Sequence, residues 1–392
     1  MATPFRTLWL SSVGARDWDA WDFAAYDWRR PQVYGEMAKI LENRGGFEAV
    51  VLEDVPLFGD DATVDSAVRY GVEGIYHDPT PMLSAMSWYT RHLGLVTTAA
   101  TATWPPFMLA RALGTLDHMT YGRSGWNIDT TFFPALAESY ELEGGWTAEE
   151  RYDRADEFVT VCKMLWDSWE EDAVLLDRTS GRFADGSKVH EGNFDGRYFT
   201  VRGPMTLARP PQRHPVLAHT EMSDRGREFA ARHVDLVVVR GSADTVAGMV
   251  GDLRERATRL GRGAVDMQIF AEVRPFVGDS DADARALRTR LLSTPALLES
   301  GIDTVGDTIV VEGAPASVAA DLEDLVEETG VDGIAFRGTM VPTIVVPLVD
   351  RVIPLLRDRG LVRTGYRQQG FRANLLDTDF VGIPNVTVGG VK

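Results

Sequence analysis

The segment "LGLVTTAATATWPPFMLARALGTLDHMTYGRSGWNIDTT", Leu93 to Thr131, carries the fold in miniature. Leu93 to Ala100 is a short, mostly apolar run without alternation, as in a strand covered on both faces. A helical stretch follows, entered through Pro105 and Pro106, with Leu116 and Met119 spaced by three before Gly122 ends it. A second strand then runs from Ser124 to Thr130, and it is odd for a core element because it holds an amide at Asn127 and a carboxylate at Asp129. Strand, helix and strand in that order make a parallel unit.

The same rhythm fills the chain. Further strands are expected at "RTLWLSSV" (6–13), "FEAVVLED" (47–54), "PVLAHT" (215–220), "VDLVVVRG" (234–241), "MQIFAEVRPFV" (267–277) and "DGIAFRG" (332–338), which with 93–100 and 124–130 makes eight. Helix-length amphipathic segments separate them, including "EERYDRADEFVTVCKMLWDSW" and "ADTVAGMVGDLRERATRLG". Eight strands in strict alternation with helices predict a (β/α)8 TIM barrel, one domain over 1–392, with an open doubly wound sheet as the alternative. Two excursions fit neither role. Residues 131–148 and 173–213 are expected as lid or insertion segments between strands 4 and 5, the latter hairpin-like at the Asp-Gly pairs of "FADGSK" and "NFDGRYF". Residues 361–392 form a C-terminal extension.

Composition narrows the function. A net charge of −18 disfavours a nucleic-acid partner, which needs clustered Lys and Arg. No apolar run approaches membrane-spanning length. The only cysteine, Cys162, excludes an internal disulfide and a thiolate zinc cluster. His77, His190 and His219 lack a metal-ligand spacing, so no metal is expected. A cytoplasmic protein is the expectation.

In a barrel of this kind the active site is built at the carboxyl ends of the strands. Those ends bring Asp54, Thr101, Asn127, His219 with Thr220, Arg240 and Arg337 to one rim, and Asn127 or Asp129 faces a ligand there. The block "ATATWPPFMLARALGTLDHMTYGRSGWNIDTT" resembles the bacterial-luciferase-like flavin monooxygenases, in the branch holding the nitrilotriacetate, pristinamycin and dibenzothiophene-sulfone monooxygenases. So do "ERYDRADEFVTVCKMLWDSWEEDAVLLD", "FADGSKVH", "GRYFTVRGP", "SDRGREFAARHVD" and "RDRGLVRTGYRQQGFRANLL". The resemblance spans most of residues 5–276 and 332–376, and its blocks occur in the family's order.

The resemblance implies a two-component enzyme. A separate NAD(P)H:flavin reductase supplies reduced FMN, dioxygen adds to it, and a flavin peroxide oxygenates a small organic substrate. The chain has no GxGxxG after a strand and no Walker loop, which agrees with a reductase carried elsewhere. Family members pair through helical faces, which implies a homodimer or homotetramer.

The resemblance also suggests roles. Asp54 lies where relatives place an acid near the flavin ring, and Asn127 offers donor and acceptor to its pyrimidine edge. Tyr152 corresponds to a tyrosine that contacts the phosphate or ribityl chain, or else packs as an ordinary aromatic. Ser223 is a natural helix cap and phosphate ligand, with Thr220 and Met222 beside it. Thr101 lines the flavin pocket. His219, at a position that is Gln-like in relatives, is a candidate acid or base beside Asp54 and Asn127, or a structural histidine. Trp104, Trp126 and Phe132 are candidate walls of the substrate pocket. Departures from the family pattern are Ala102, Ala148, "AESYE" at 137–141, a shorter region between strands 7 and 8, and Glu221 in place of a glycine. They keep two alternatives in view: a deazaflavin-dependent oxidoreductase on the same barrel, and a flavin-binding homologue without turnover.

Overall fold

Eight parallel strands close into a ring: Arg6–Ser12, Ala49–Glu53, Gly94–Ala100, Ser124–Asp129, Val216–His219, Leu236–Val239, Gln268–Val277 and Gly333–Arg337. Each pairs with the next in chain order, and Arg6–Leu10 aligned on Gly333–Arg337 completes the circle. The computed structural model describes residues 3–12, 27–54, 65, 68–71, 76–142, 145–300 and 305–380. Val13 of the first expected strand, residues 143–144 of the first excursion and residues 381–392 of the extension lie outside the described residues.

All eight expected strands are present, so the chain is a (β/α)8 barrel. One further strand, Ile309–Gly313, was not anticipated. The seventh barrel strand is ten residues long, and only its first part is used by the ring. Its remainder, Val273–Val277, takes Ile309–Gly313 as a parallel partner. A five-residue run has too little length to announce itself, although "IVVEG" is as β-branched as its neighbours.

Strand alternation divides the side chains between two cores. Leu8, Leu10, Val51, Val96, Val216 and Phe270 fill the ring itself. Trp9, Phe47, Trp126, Leu217 and Phe336 point outward into the layer under the helices. The helices begin where proline and capping chemistry predict. Pro106 is the first residue of Pro106–Met119, where a missing N–H costs nothing. Thr147 and Glu150 form a reciprocal capping box that starts Ala148–Trp166.

The amino-terminal end of the ring is stoppered by the tail. Phe371, fully buried, enters from the short helix Phe371–Leu375. A Cβ on Gly94 would stand 2.6 Å from its ring, so that strand has glycine where the stopper needs room. The Phe371 N–H donates to the Gly122 carbonyl at 2.8 Å, and Arg372 grips Asp235 through two 2.7 Å contacts. Arg363 pairs with buried Glu48 nearby. With this end sealed, the carboxyl-terminal rim is the side left for chemistry.

The excursions divide. Residues 131–148 include the helix Pro134–Ser139. The 173–213 excursion contains two antiparallel hairpins, Val174–Asp177 with Arg182–Ala184 and Asn193–Asp195 with Thr200–Arg202. The pair Asp195–Gly196 marks the second turn as expected. Asp185–Gly186 does not turn a hairpin; the Asp185 carboxylate accepts from the Ser187 N–H at 3.0 Å and opens a short helical turn. Of the two roles expected for 173–213, lid or insertion, the contacts describe an insertion that also reaches Arg154 beside Thr101. Its contacts run along the helix Ala148–Trp166, with the Tyr198 N–H donating to Glu157 at 2.6 Å and Phe199 edge-on to Phe158 at 5.5 Å. No helix among the described residues is long and apolar enough to cross a membrane.

Replacing Phe371 by Ala should destabilise the barrel by about 3–5 kcal/mol, the usual cost of emptying a fully buried phenylalanine site. Chemical denaturation of the two proteins measures it, and Phe371→Leu should lose less.

Candidate active site

On the second, fourth, seventh and eighth strands, polar side chains replace apolar ones as the ring opens. Arg337 donates to both oxygens of Glu53, at 2.6 and 2.8 Å, and to Glu272 at 2.6 and 3.0 Å. Thr308 completes Glu272 with a 2.6 Å hydrogen bond. Burial alone would pull the guanidinium below its ordinary range, yet the two carboxylates outweigh it and hold it above. A small pocket of about 10 Å³ lies against this network, lined by Ser11, Ser12, Arg274, Arg337 and Gly338.

Asn127 shares the inward face with Asp129. Its Nδ2 donates to Thr98 Oγ1 at 3.0 Å, while its Oδ1 is buried with no hydrogen-bond partner. An orphaned buried acceptor is costly, and native proteins keep one chiefly where a ligand completes it. The Asp129 carboxyl lies above the usual range because of burial, with Thr131 hydrogen bonds and Arg151 opposing and the Glu221 charge adding to the rise. Asp129 therefore senses Glu221, and the fourth and fifth strands bring these groups to one end of the ring.

The beginning of the helix Asp224–His233 is the second half of the site. Ser223 Oγ accepts from the Gly226 N–H at 3.1 Å as a cap. Gly226 has no room for a side chain: a Cβ would meet the Glu221 carbonyl at 2.5 Å and the Tyr152 hydroxyl at 2.7 Å. The Glu221 carboxylate folds over this cradle. One oxygen accepts from the Ser223 N–H at 3.1 Å and the other from the Tyr152 hydroxyl. Met222 contributes its carbonyl to Arg227 at 2.8 Å, and Thr220 is half-buried just before the turn.

His219 and Trp126 alternate with these groups and face the other way. His219 is fully buried against Tyr152 and Phe229. Its Nδ1 donates to the Ile128 carbonyl at 2.8 Å, which leaves Nε2 as the acceptor, 3.2 Å from the Tyr152 hydroxyl. The ring does not line the mouth but lies behind Tyr152. Trp126 donates Nε1–H to the Ala99 carbonyl at 2.9 Å and packs its ring on Phe158 at 5.6 Å, in the layer beneath the helices.

The remaining candidates sit around the rim. Thr101 is buried and donates its N–H to the Asp129 carbonyl at 2.9 Å. Its own carbonyl accepts from Arg154, which lies between the rings of Trp146 at 4.7 Å and Phe199 at 4.6 Å. Burial lowers the Arg154 guanidinium to about 10, against Glu157 and Tyr198. Phe132 packs on Trp146 at 4.8 Å, and Trp104 is partly buried against the helix-side core. Asp54 is half-buried at the end of the second strand. Burial, then the charges of Asp54 and Asp78, raise the Tyr140 hydroxyl above its usual range, so the 131–148 excursion reaches across to the second strand.

These groups fit a flavin in part. The orphaned Asn127 Oδ1 suits a ring N–H, and a capped helix start with Tyr152 beside it suits an anionic tail. Glu221 already engages two of the tail's donors. The sequence reading did not single out Glu53 and Glu272; the signal was present in the period-two pattern Phe270, Glu272, Arg274 within an otherwise apolar strand.

Comparisons with known proteins agree with this geometry. A family model described as luciferase-like monooxygenase matches residues 36–333. The chain is 33% identical to the long-chain alkane monooxygenase of Geobacillus thermodenitrificans (strain NG80-2), covering 91% of this chain and 92% of that one. It is 31% identical to the dimethyl-sulfide monooxygenase of Hyphomicrobium sulfonivorans, covering 91% and 88%. It is 29% identical to nitrilotriacetate monooxygenase component A of Aminobacter aminovorans, covering 76% and 78%. Among solved structures, a long-chain alkane monooxygenase superposes with a TM-score of 0.87 at 30% identity over 97% of each chain. A riboflavin lyase with modified FMN and substrate riboflavin does so with 0.86 at 26% identity, over 96% of this chain and 97% of that one.

Burial pushes the His219 imidazole down to about 4 from an ordinary 6.5. With the folded value depressed, the unfolded chain takes up the proton first. The stability this ring contributes is complete above pH 6.5 and is lost as the pH falls toward 4, in total by about 3 kcal/mol. Unfolding free energies measured across that window should therefore fall less steeply for His219→Gln than for the native chain.

Proposed function

Because this chain belongs to the luciferase-like monooxygenase family, we propose that it is the oxygenating component of a two-component, FMNH2-dependent monooxygenase acting on a small organic substrate. The observation that carries the reading is the buried Asn127 Oδ1 without a partner at the mouth of the barrel. A ring N–H of a flavin would satisfy it, while the amide Nδ2 donates to Thr98 Oγ1 at 3.0 Å. The chemistry supplied by bound reduced FMN is the two-electron activation of dioxygen, with one oxygen atom entering the substrate and the other leaving as water.

The residues of the chain then bind, orient and shield. Tyr152 and Ser223 would hold the tail at the start of the helix Asp224–His233, beside Thr220 and Met222. His219 would act through Tyr152, packing edge-on against its ring at 6.0 Å and holding it in place. Thr101 and Asp54 would flank the ring side, with the Asp54 carboxylate holding a proton at the rim. Trp104 and the Phe132–Trp146 pair would keep water from the mouth, where water would waste the activated oxygen. A separate NAD(P)H:flavin reductase would deliver the reduced flavin. One relative's name, "component A", supports that division of labour. A homodimer or homotetramer in the cytoplasm completes the reading.

The test supplies the purified chain with FMN, NADH, a flavin reductase and ¹⁸O-labelled dioxygen over a panel of alkanes, dialkyl sulfides and heterocycles. Label should enter one product, and only when the reductase is present. Asn127→Ala should weaken FMN binding roughly tenfold, the worth of one well-placed hydrogen bond in a buried site. No labelled product across the panel, together with tight binding of a deazaflavin in preference to FMN, would overturn the proposal.

A further inference from the structure

Glu221 is placed as a ligand would be. Its two carboxylate oxygens take the Ser223 N–H and the Tyr152 hydroxyl, two donors at the start of a ten-residue helix. A carboxylate there gains from the helix dipole as any bound anion does. The backbone carbonyl of the same residue packs closely on Gly226. Most cations nearby among the described residues are already committed to carboxylates; Arg151, which bonds the neutral Thr130 carbonyl, is the exception. Arg225 is drawn to Glu149, Asp153 and Asp156, and Arg227 to Asp224 and Asp252. Asp224 is in turn held by Arg256 at 2.6 Å, and Arg151 spends one N–H on the Thr130 carbonyl at 3.2 Å. Asp129, on the neighbouring strand end, adds a further carboxyl group that already senses Glu221. The independent sign of a ligand at this end of the ring is the Asn127 acceptor, which is only 3% exposed and unpartnered.

We propose that Glu221 is an internal stand-in for the terminal phosphate of the flavin, and that it sets cofactor selectivity by competing for the donors of that phosphate. This rests on the flavin reading of the mouth. A flavin ending in a hydroxyl, riboflavin, meets no such competition and can coexist with the carboxylate. FMN must displace Glu221 from Tyr152 and Ser223, then remain beside its charge. The chain therefore distinguishes poorly between the two flavins and holds FMN loosely, as suits a cofactor handed over by another protein and returned to it.

The experiment is direct titration of the full chain with oxidised FMN and with riboflavin, following flavin fluorescence, for the native protein, Glu221→Gly and Glu221→Gln. Glu221 is exposed and in a loop, so neither change should disturb folding. The native dissociation constants should agree within about threefold. Glu221→Gly should tighten FMN by about tenfold or more and riboflavin by less than about twofold, since one like charge is removed for FMN alone. Glu221→Gln, which keeps one acceptor oxygen and loses the charge, should give the same sign with a smaller gain. Native preference for FMN above about tenfold, or FMN affinity unchanged in both variants, would overturn the inference while leaving the flavin reading intact. If neither flavin binds the native chain or either variant, the inference and that reading fall together.

Discussion

The pairing of Arg6–Leu10 with Gly333–Arg337 is the constraint on which the remaining structure depends. The two partners are separated by most of the chain, so everything between must be wound before they can meet. Once they meet, the register is fixed around the whole ring, and each strand end is committed to one rim. The same pairing brings Arg337 opposite Glu53 across the first strand, and the seventh strand adds Glu272 on its other side. A guanidinium held between two carboxylates is a costly thing to bury unless all its hydrogen bonds are made. Here four contacts to carboxylate oxygens make the arrangement tolerable, and they stiffen the opening between the first and eighth strands.

The other half of the rim is arranged differently. Between the fourth and fifth strands the groups are not saturated by one another. Asn127 keeps an acceptor idle, and the Tyr152 hydroxyl, with one proton to give, stands between the Glu221 carboxylate and His219 Nε2. One side of the ring is thus built for stiffness, and the other carries unfinished hydrogen bonding. Ligand sites gather where polar groups lack internal partners, because a bound molecule then gains what the fold has left unmet.

Much of the architecture was legible because buried parallel strands write themselves as unbroken apolar runs, and "VDLVVVRG" or "LGLVTTAA" can hardly be anything else. The parity of side chains was harder. Trp126 and Asn127 are adjacent, as are His219 and Thr220, and which of each pair enters the ring depends on a register that a slip of one residue would reverse. An aromatic wall was expected at Trp126, and either an acid or base at the mouth or a structural histidine at His219; both side chains lie in the outer layer. Arg337 could be placed at the rim and Glu272 stands out in an apolar strand, but their pairing with Glu53 could not be read, since nothing local ties three residues so far apart in the chain. Ser223 was legible as a cap for a simple reason: a serine before an acidic, amphipathic run has local consequences. The Asp185–Gly186 pair looked like the turn of a hairpin and instead caps a short helical turn, because its carboxylate finds Ser187 two residues on.

The stopper at the base of the ring bears on how the molecule is made. Phe371 belongs to a segment that leaves the ribosome after all eight strands, so the nascent ring must wait with an open floor. During that interval Gly94 faces the space that the Phe371 ring later fills. A chain ending between Arg337 and Phe371 would still contain every strand of the circle, yet would leave the apolar floor open. The closing of the floor is thus the last packing step the ring can take, and it depends on one aromatic side chain.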